Sequence, residues 1–247
     1  RRRASAAERE LYNLGITFTV YSEAETIDRI LPFDVIPRVI SAEDWRKLER
    51  GVKQRVAAIN LFLHDIYHRQ KILADGVVPR DLVLGNANYR PEMIGIEVPF
   101  GTYVHICGID LVRDEAGRFL VLEDNGRTPS GVSYVVENRH LMLRAFPDLL
   151  EGIGIRRVSD YGLRLQQAMQ EVAPAGVSEP QVVLLSPGVY NSAYFEHVFL
   201  AREMGVPLVE GRDLLVEDER VFMKTTDGLA PVDVIYRRLN DDFLDPE

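Results

Sequence analysis

"VLEDNGRTPSG", residues 121–131, sets Glu123, Asp124 and Asn125 directly after an apolar run and just before a turn cluster of Gly126, Thr128, Pro129, Ser130 and Gly131. Upstream, "YVHICGIDLV" (103–112) and "RFLVLED" (118–124) read as two strands. The five residues "RDEAG" between them, polar or small and with one glycine, predict a hairpin. Residues two apart on an extended chain share a face. Glu123 and Asn125 therefore point together and Asp124 points the other way, while Asp110 falls near the end of the first strand. The neighbours Ile109, Leu111, Val121 and Leu122 predict a partly buried face. Unpaired carboxylates there would cost several kcal/mol each.

A hard divalent cation removes that cost. Two carboxylates and an amide oxygen suit Mg²⁺, which keeps waters and shares phosphate oxygens with a substrate. The set is too rich in oxygen for structural zinc. Two other readings stay open on spacing alone. One is a solvated hairpin end carrying ordinary surface charge. The other is a glycosidase-type pair of opposed carboxylates, in which the asparagine has no role.

Outward from the hairpin, the chain reads as a mixed α+β or α/β protein. "ITFTVY" (16–21) alternates and is β-branched, as a strand does. Ser41 is placed as an N-cap, with acids in the first turn behind it. From there Trp45, Leu48, Val52, Val56, Ile59, Leu63 and Ile66 recur every three or four residues, predicting a long amphipathic helix that ends near Asp75-Gly76. A loop-rich stretch follows, and residues 133–150 read as a helix. "GIGIRRVSD" interrupts the pattern, so a boundary is expected near 152–160, dividing residues 1–155 from 156–247. Beyond it come a helix (160–172), the strand "QVVLLS", a helix (192–204) ending at Gly205, and the strand-like runs "VPLVEG", "RVFMKT" and "VDVIYRR". That order predicts a small parallel α/β unit.

Composition excludes several classes. The 247 residues suffice for one large or two modest domains. A net charge of −9 argues against a general nucleic-acid binder, although a bound metal lets an acidic protein hold a nucleotide. No apolar run has the ~18 residues a membrane helix needs. The opening "RRRASAAERELY" has no apolar core and is not a secretory signal. Cys107 is the single cysteine, so no internal disulfide can form and a reducing, cytoplasmic setting is expected. Basic residues are 25 arginines and four lysines, Lys47, Lys53, Lys71 and Lys224.

"GIDLVRDEAGRFLVLEDNGRTPSG" resembles the metal-binding segment of the ATP-grasp ligases. "PFDVIPRVIS", "LFLHDIYH", "NYRPEM", "EDNGRTPSGVSYVVENR", "PGVYNSAYFEH" and "VDVIYRR" resemble, in order, segments of the circularly permuted ATP-grasp group, whose members are often named glutathionylspermidine synthase-like. The resemblance covers nearly the whole chain. It implies part of a permuted ATP-grasp fold plus a small Rossmann-like, pre-ATP-grasp unit. It also makes Asp110, Glu123 and Asn125 the ligands of the Mg²⁺ ions that accompany ATP, with Glu123 the bridge between two of them. The implied reaction has ATP phosphorylate a carboxylate and an amine attack the acyl phosphate, giving an amide. The implied partners are therefore a small carboxylate and a small amine. Arg127, Arg139 and Arg90 are the candidates for holding the acyl-phosphate oxygens, since guanidinium forks match phosphate and carboxylate. Each of them could equally pair with a structural acid.

The departure from the family pattern lies in the lysines. The family grips adenine and phosphates with strand lysines and a glycine-rich loop, C-terminal to the segment matched here. This chain has no such loop, and only Lys224 falls in a strand-like run. The expectation is a fragment, inactive alone, that carries the metal-binding half. The competing class is a non-catalytic binding module that keeps the fold.

Three further features carry both a functional and a plain reading. His64 and His68 in "HDIYH" are one helical turn apart, as in zinc-protease helices, but Asp65 stands where that motif has Glu and no third ligand is evident. A helix face with two polar histidines is the favoured reading. Pro187-Gly188 could present N–H groups to an anion, or Asn191 or Ser192 could simply cap the next helix. Arg237 and Arg238 could reach a substrate anion or form a salt bridge.

Overall fold

The computed structural model describes residues 2–13, 16–21, 26–30, 34, 36–240 and 243–244. They fall into two units, one of Arg38–Pro129 and one joining Arg1–Pro37 to Ser130–Glu247.

In the Arg38–Pro129 unit, helix α2 (Ala42–Tyr67) comes in chain order after α1 (Arg2–Asn13) and the first hairpin, which belong to the other unit. Ser41 Oγ accepts from the Asp44 N–H at 3.0 Å, and Glu43 and Asp44 lie in the positive first turn. The apolar stripe keeps its helical period. However, Leu48, Val52, Val56, Ile59 and Leu63 are only half-buried, Trp45 is exposed, and only Ile66 and Tyr67 are fully buried. The helix stops at His68, earlier than periodicity predicted, because Gln70 takes a left-handed conformation (φ 53°). The short helix α3 (Lys71–Ala74) restarts there, with both Asp65 carboxylate oxygens accepting from the Lys71 and Ile72 N–H groups at 3.0 and 2.8 Å. Helix α4 (Arg80–Leu84) and turns at Pro91–Met93 and Pro99–Gly101 occupy the loop-rich stretch.

Strands β3 (Gly108–Arg113) and β4 (Phe119–Asn125) form the expected antiparallel hairpin. The first strand begins later than predicted, so Asp110 is its third residue rather than near its end. Residues 103–107 do not join the ladder because the Tyr103 and Val104 N–H groups bond the Asn60 side-chain oxygen instead, at 2.6 and 2.9 Å.

In the second unit, α1 (Arg2–Asn13) packs Ala7 and Leu11, with Ile16, on Leu141 of α5 (Val132–Ala145). A β1–β2 hairpin (Thr17–Tyr21 with Thr26–Ile30) follows α1. Helix 133–150 is observed as two pieces, α5 and α6 (Pro147–Leu150), because Pro147 lacks an N–H and Phe146 leaves helical geometry (φ −135°, ψ 49°). Helix α7 (Tyr161–Glu171), strand β5 (Val182–Leu185), helix α8 (Tyr194–Met204), strand β6 (Leu208–Val209) and strand β10 (Val234–Arg237) build the predicted parallel unit, with sheet order β10-β5-β6. Every residue of β5 is buried. Gly162 lets α7 meet α8, since a Cβ there would come within 2.7 Å of the Glu203 backbone.

"RVFMKT" is not in that sheet. It is β8 (Arg220–Thr225), the centre of an antiparallel meander with β7 (Leu214–Glu217) and β9 (Gly228–Pro231). The division into units also falls elsewhere than near 152–160. Residues 1–37 and 130–155 group with the C-terminal part, because α5 packs on both α1 and α8.

Candidate functional site

Asp110 of β3 stands directly opposite Glu123 of β4, and Gly108 directly opposite Asn125. Residues opposite one another in an antiparallel pair project from the same face. The alternation along β4 adds Asn125 to the face of Glu123. The Asn125 Nδ2 atom lies 3.5 Å from Glu123 Oε1. The ladder is irregular between Asp110 and Leu111, a bulge of the kind that re-aims side chains. Gly108 keeps this end clear: a Cβ there would meet the Pro129 Cβ at 2.8 Å and the Asn125 Cβ at 3.5 Å. The three oxygen-bearing side chains thus share one face at one end of the hairpin.

Asp124 points away, as the alternation requires. It takes a forked ion pair from Arg55 of α2, with Nε at 2.7 and 2.8 Å and Nη2 at 2.6 Å. Hydrogen bonds from Arg55 hold the Asp124 carboxyl below the usual carboxylate range, and the pair raises the Arg55 guanidinium in turn. Cys107 sits beside this pair, its thiol pushed up by burial and by the Asp124 charge.

The expected partial burial is not observed. Asp110, Glu123 and Asn125 are exposed, and so are Leu111, Val121 and Leu122. Leu111 and Val112, and likewise Leu120, Val121 and Leu122, are adjacent exposed residues that point to alternate faces, so both faces of the two-stranded ribbon are open to water here. The carboxylates therefore have no large desolvation cost to relieve, and a metal reading rests on their convergence and oxygen chemistry instead.

The candidate arginines are spread out. Arg127 is exposed, two residues beyond Asn125 in the turn before Pro129. Arg90 is exposed at the start of the Pro91–Met93 turn, its N–H donating to the Tyr67 hydroxyl at 3.3 Å. Arg139 belongs to the other unit, on α5, where its Nη1 donates to the Arg156 carbonyl at 2.6 Å. Lys224, the strand lysine, donates to the Arg212 carbonyl at 2.8 Å.

Structural partners occupy the other two anion candidates. Gly188 faces the Glu210 carboxylate, whose Oε1 would lie 3.1 Å from an added Cβ, and its N–H donates to Ser186 Oγ at 3.1 Å. Asn191 Oδ1 accepts the Ala193 N–H at 2.9 Å in the turn before α8, but the N-cap of that helix is Ala193, with no side-chain capping bond, so neither Asn191 nor Ser192 caps it as expected. Arg238 is buried and pairs with buried Glu196 at 3.0 Å.

That pair opens a network that spacing did not reveal. Glu196 Oε2 accepts from the Gly131 N–H (2.7 Å), the Ser133 N–H (3.1 Å) and the Ser133 hydroxyl (2.8 Å), capping α5. Arg238 also reaches Ser130 Oγ at 2.8 Å. Next to it, buried His197 Nδ1 lies 2.8 Å from Ser186 Oγ, and burial with the Arg238 charge lowers the imidazole to about 4. All of these residues but Ser186 fall in three of the segments that carried the family resemblance, and they are separated by as many as 108 positions. Only the fold joins them.

No helix among the described residues is long and apolar enough to cross a membrane. The family described as "A circularly permuted ATPgrasp" matches residues 37–247. An uncharacterized protein of Synechocystis sp. is 52% identical over 247 residues, covering 100% of this chain and 51% of its own length. An uncharacterized protein of Mycobacterium tuberculosis is 52% identical over 244 residues, 99% of this chain and 44% of that protein. A Frankia alni protein named "Putative glutamate--cysteine ligase 2-3" is 43% identical over 245 residues, 98% of this chain and 28% of that protein. The chain thus spans about half the length, or less, of these curated relatives.

Proposed function

The chain belongs to the circularly permuted ATP-grasp family, and on that premise we propose that it is the metal-holding part of an ATP-dependent ligase joining a carboxylate to an amine through an acyl phosphate. The observation that carries this reading is the cross-strand pair of Asp110 and Glu123 with Asn125 on the same face. The donor set fits Mg²⁺: two carboxylates and an amide, all oxygen, exposed enough for the ion to keep waters and meet a nucleotide. When bound, Mg²⁺ neutralises phosphate charge and aligns phosphoryl transfer.

The chain's own residues have distinct parts in this proposal. Asp110 and Glu123 supply the anionic oxygens, with Glu123 central because it neighbours both other members. Arg55 holds Asp124 on the opposite face and so keeps the β4 register that aims Glu123. Arg127 is placed to meet transferred or acyl-phosphate oxygens, with Arg90 and Arg139 as further candidates. ATP itself would be gripped by residues outside this chain. Its lysines lie on or just beyond α2, or donate to a backbone carbonyl. Relatives of about twice the length or more accord with a longer protein.

The substrates in this proposal are a small carboxylate and a small amine, in a cytoplasmic setting. The glutathionylspermidine synthase-like reading and the glutamate–cysteine name of a relative both describe such a pair. A non-catalytic module is the second reading, favoured by the exposure of the carboxylates and by the scarcity of lysine. The test is Mg²⁺-dependent ADP release by the full-length protein against a panel of amino acids and polyamines. Acceptor-dependent release that Glu123→Gln abolishes supports the ligase. No release with any pair favours the module.

A further inference from the structure

The two histidines of "HDIYH" are one helical turn apart on α2, and their rings stack at 4.2 Å between centroids, 25° from parallel. The third group is Glu97, brought from the loop between the two 3₁₀ turns, which the Gly95 N–H ties back to the Tyr67 carbonyl at 2.9 Å. One ligand atom from each of His64, His68 and Glu97 lies within 4.8 Å of the others. Tyr103 adds its hydroxyl, 3.4 Å from His64 Nδ1 and 3.5 Å from His68 Nδ1.

The tautomer of His68 decides what this cluster can hold. Its Nδ1 lies 2.8 Å from the His64 carbonyl, which can only accept, so Nδ1 carries the hydrogen. Nε2 is then left with a lone pair. That atom is buried without a hydrogen-bond partner, 3.4 Å from a Glu97 carboxylate oxygen. A lone pair and a carboxylate facing each other at this distance repel unless a cation lies between them, either a proton or a metal ion. A proton needs only these two groups. The stacked His64 adds a third electron-pair donor to the same spot. A ring N–H bonded to a backbone carbonyl is also the usual support of a metal-binding imidazole.

We propose that His64, His68 and Glu97 form a site for a zinc-type transition-metal dication, separate from the Asp110–Glu123–Asn125 set. Two imidazole nitrogens and one carboxylate select zinc, cobalt, nickel or copper over magnesium. Bonds of about 2.0–2.2 Å place tetrahedral ligand atoms roughly 3.5 Å apart. Rotation of the exposed Glu97 and His64 side chains closes the present spread, and water takes the fourth position. The site is not of the zinc-protease type, because both oxygens of Asp65 are engaged in capping α3 and cannot serve as a base. Its effect is to fasten the Glu97 loop to the end of α2.

The test is titration of the tag-free chain with Co²⁺, read by visible absorption, and with Zn²⁺, read by calorimetry. The expected result is one equivalent bound with the intense visible bands of low-coordinate cobalt. Glu97→Gln should weaken binding by at least about tenfold, and His64→Ala should weaken it further. Both residues are exposed, so both variants should fold. Excess Mg²⁺ and the Glu123→Gln variant should leave the titration unchanged. Absence of one-equivalent binding, or binding equal to wild type in both variants, overturns the site and leaves a proton-bridged His68–Glu97 pair.

Discussion

Of the 24 fully buried apolar residues among those described, 20 lie in the unit of residues 1–37 and 130–247 and four, Ile66, Tyr67, Leu73 and Val104, lie in Arg38–Pro129. The Arg38–Pro129 unit nevertheless holds more than a third of the chain. Its hairpin leaves Leu111, Val112, Leu120, Val121 and Leu122 exposed by between 37% and 69%. Specific polar bonds take the place of a core there: Asn60 to the Tyr103 and Val104 N–H groups, Arg55 to Asp124, and Asp65 to the start of α3. One unit is held by burial and the other is pinned by side-chain hydrogen bonds. The candidate chemistry lies mainly on the pinned one, where oxygen ligands remain accessible to water and nucleotide.

The largest expected effect is in the core-held unit. Glu196→Gln leaves buried Arg238 without its counter-charge and weakens the cap of α5. It should lower stability by about 3–5 kcal/mol in chemical denaturation. A loss no greater than that of a surface substitution would show that this unit does not depend on its buried network.

Leu141→Ala and Leu63→Ala sharpen the contrast directly. Leu141 is 0% exposed, so its truncation should cost ~2–5 kcal/mol. Leu63 is half-buried on α2 and should cost clearly less. Equal losses would mean that α2 is as well packed as α5.

A pH series separates the units again. His197 is lowered to about 4 when folded, against 6.5 ordinarily. A depressed folded value means that the neutral form is the one the fold accommodates. Its contribution is complete above 6.5 and is lost as pH falls toward 4, on the order of 3 kcal/mol in all. His197→Asn should flatten stability across that window. An unchanged slope would remove His197 from the account.

The smallest effect is local. In hydrogen exchange, the β3–β4 amides should exchange faster than those of β5, which is buried throughout. Matching protection in the two would contradict the contrast in burial.

Periodicity made the local elements legible. Strict alternation identified which of Glu123, Asp124 and Asn125 share a face, and the spacing from Trp45 to Ile66 identified α2. The strand–helix–strand order after residue 160 identified the parallel sheet. The strands β2, β7 and β9 carry no comparable pattern: charged residues break the β2 run, glycine and proline bound β9, and β7 is three apolar residues set among charged ones. Burial was misjudged because apolar neighbours say what a face could bury, not what lies opposite it. The grouping of α1 with α5 and α8, the Glu196–Arg238 pair and the approach of Glu97 to His68 are long-range contacts. Nothing in local spacing encodes them.

The most direct test of the metal-holding role is paramagnetic broadening of the chain's NMR signals by Mn²⁺, a stand-in for Mg²⁺. Signals around Asp110, Glu123 and Asn125 should be lost selectively. Glu123→Gln should abolish that loss, Asp124→Asn should leave it in place, and Asn125→Asp should preserve it because an oxygen ligand remains. Broadening spread evenly over the acidic surface, or a hairpin pattern that survives Glu123→Gln, would contradict it.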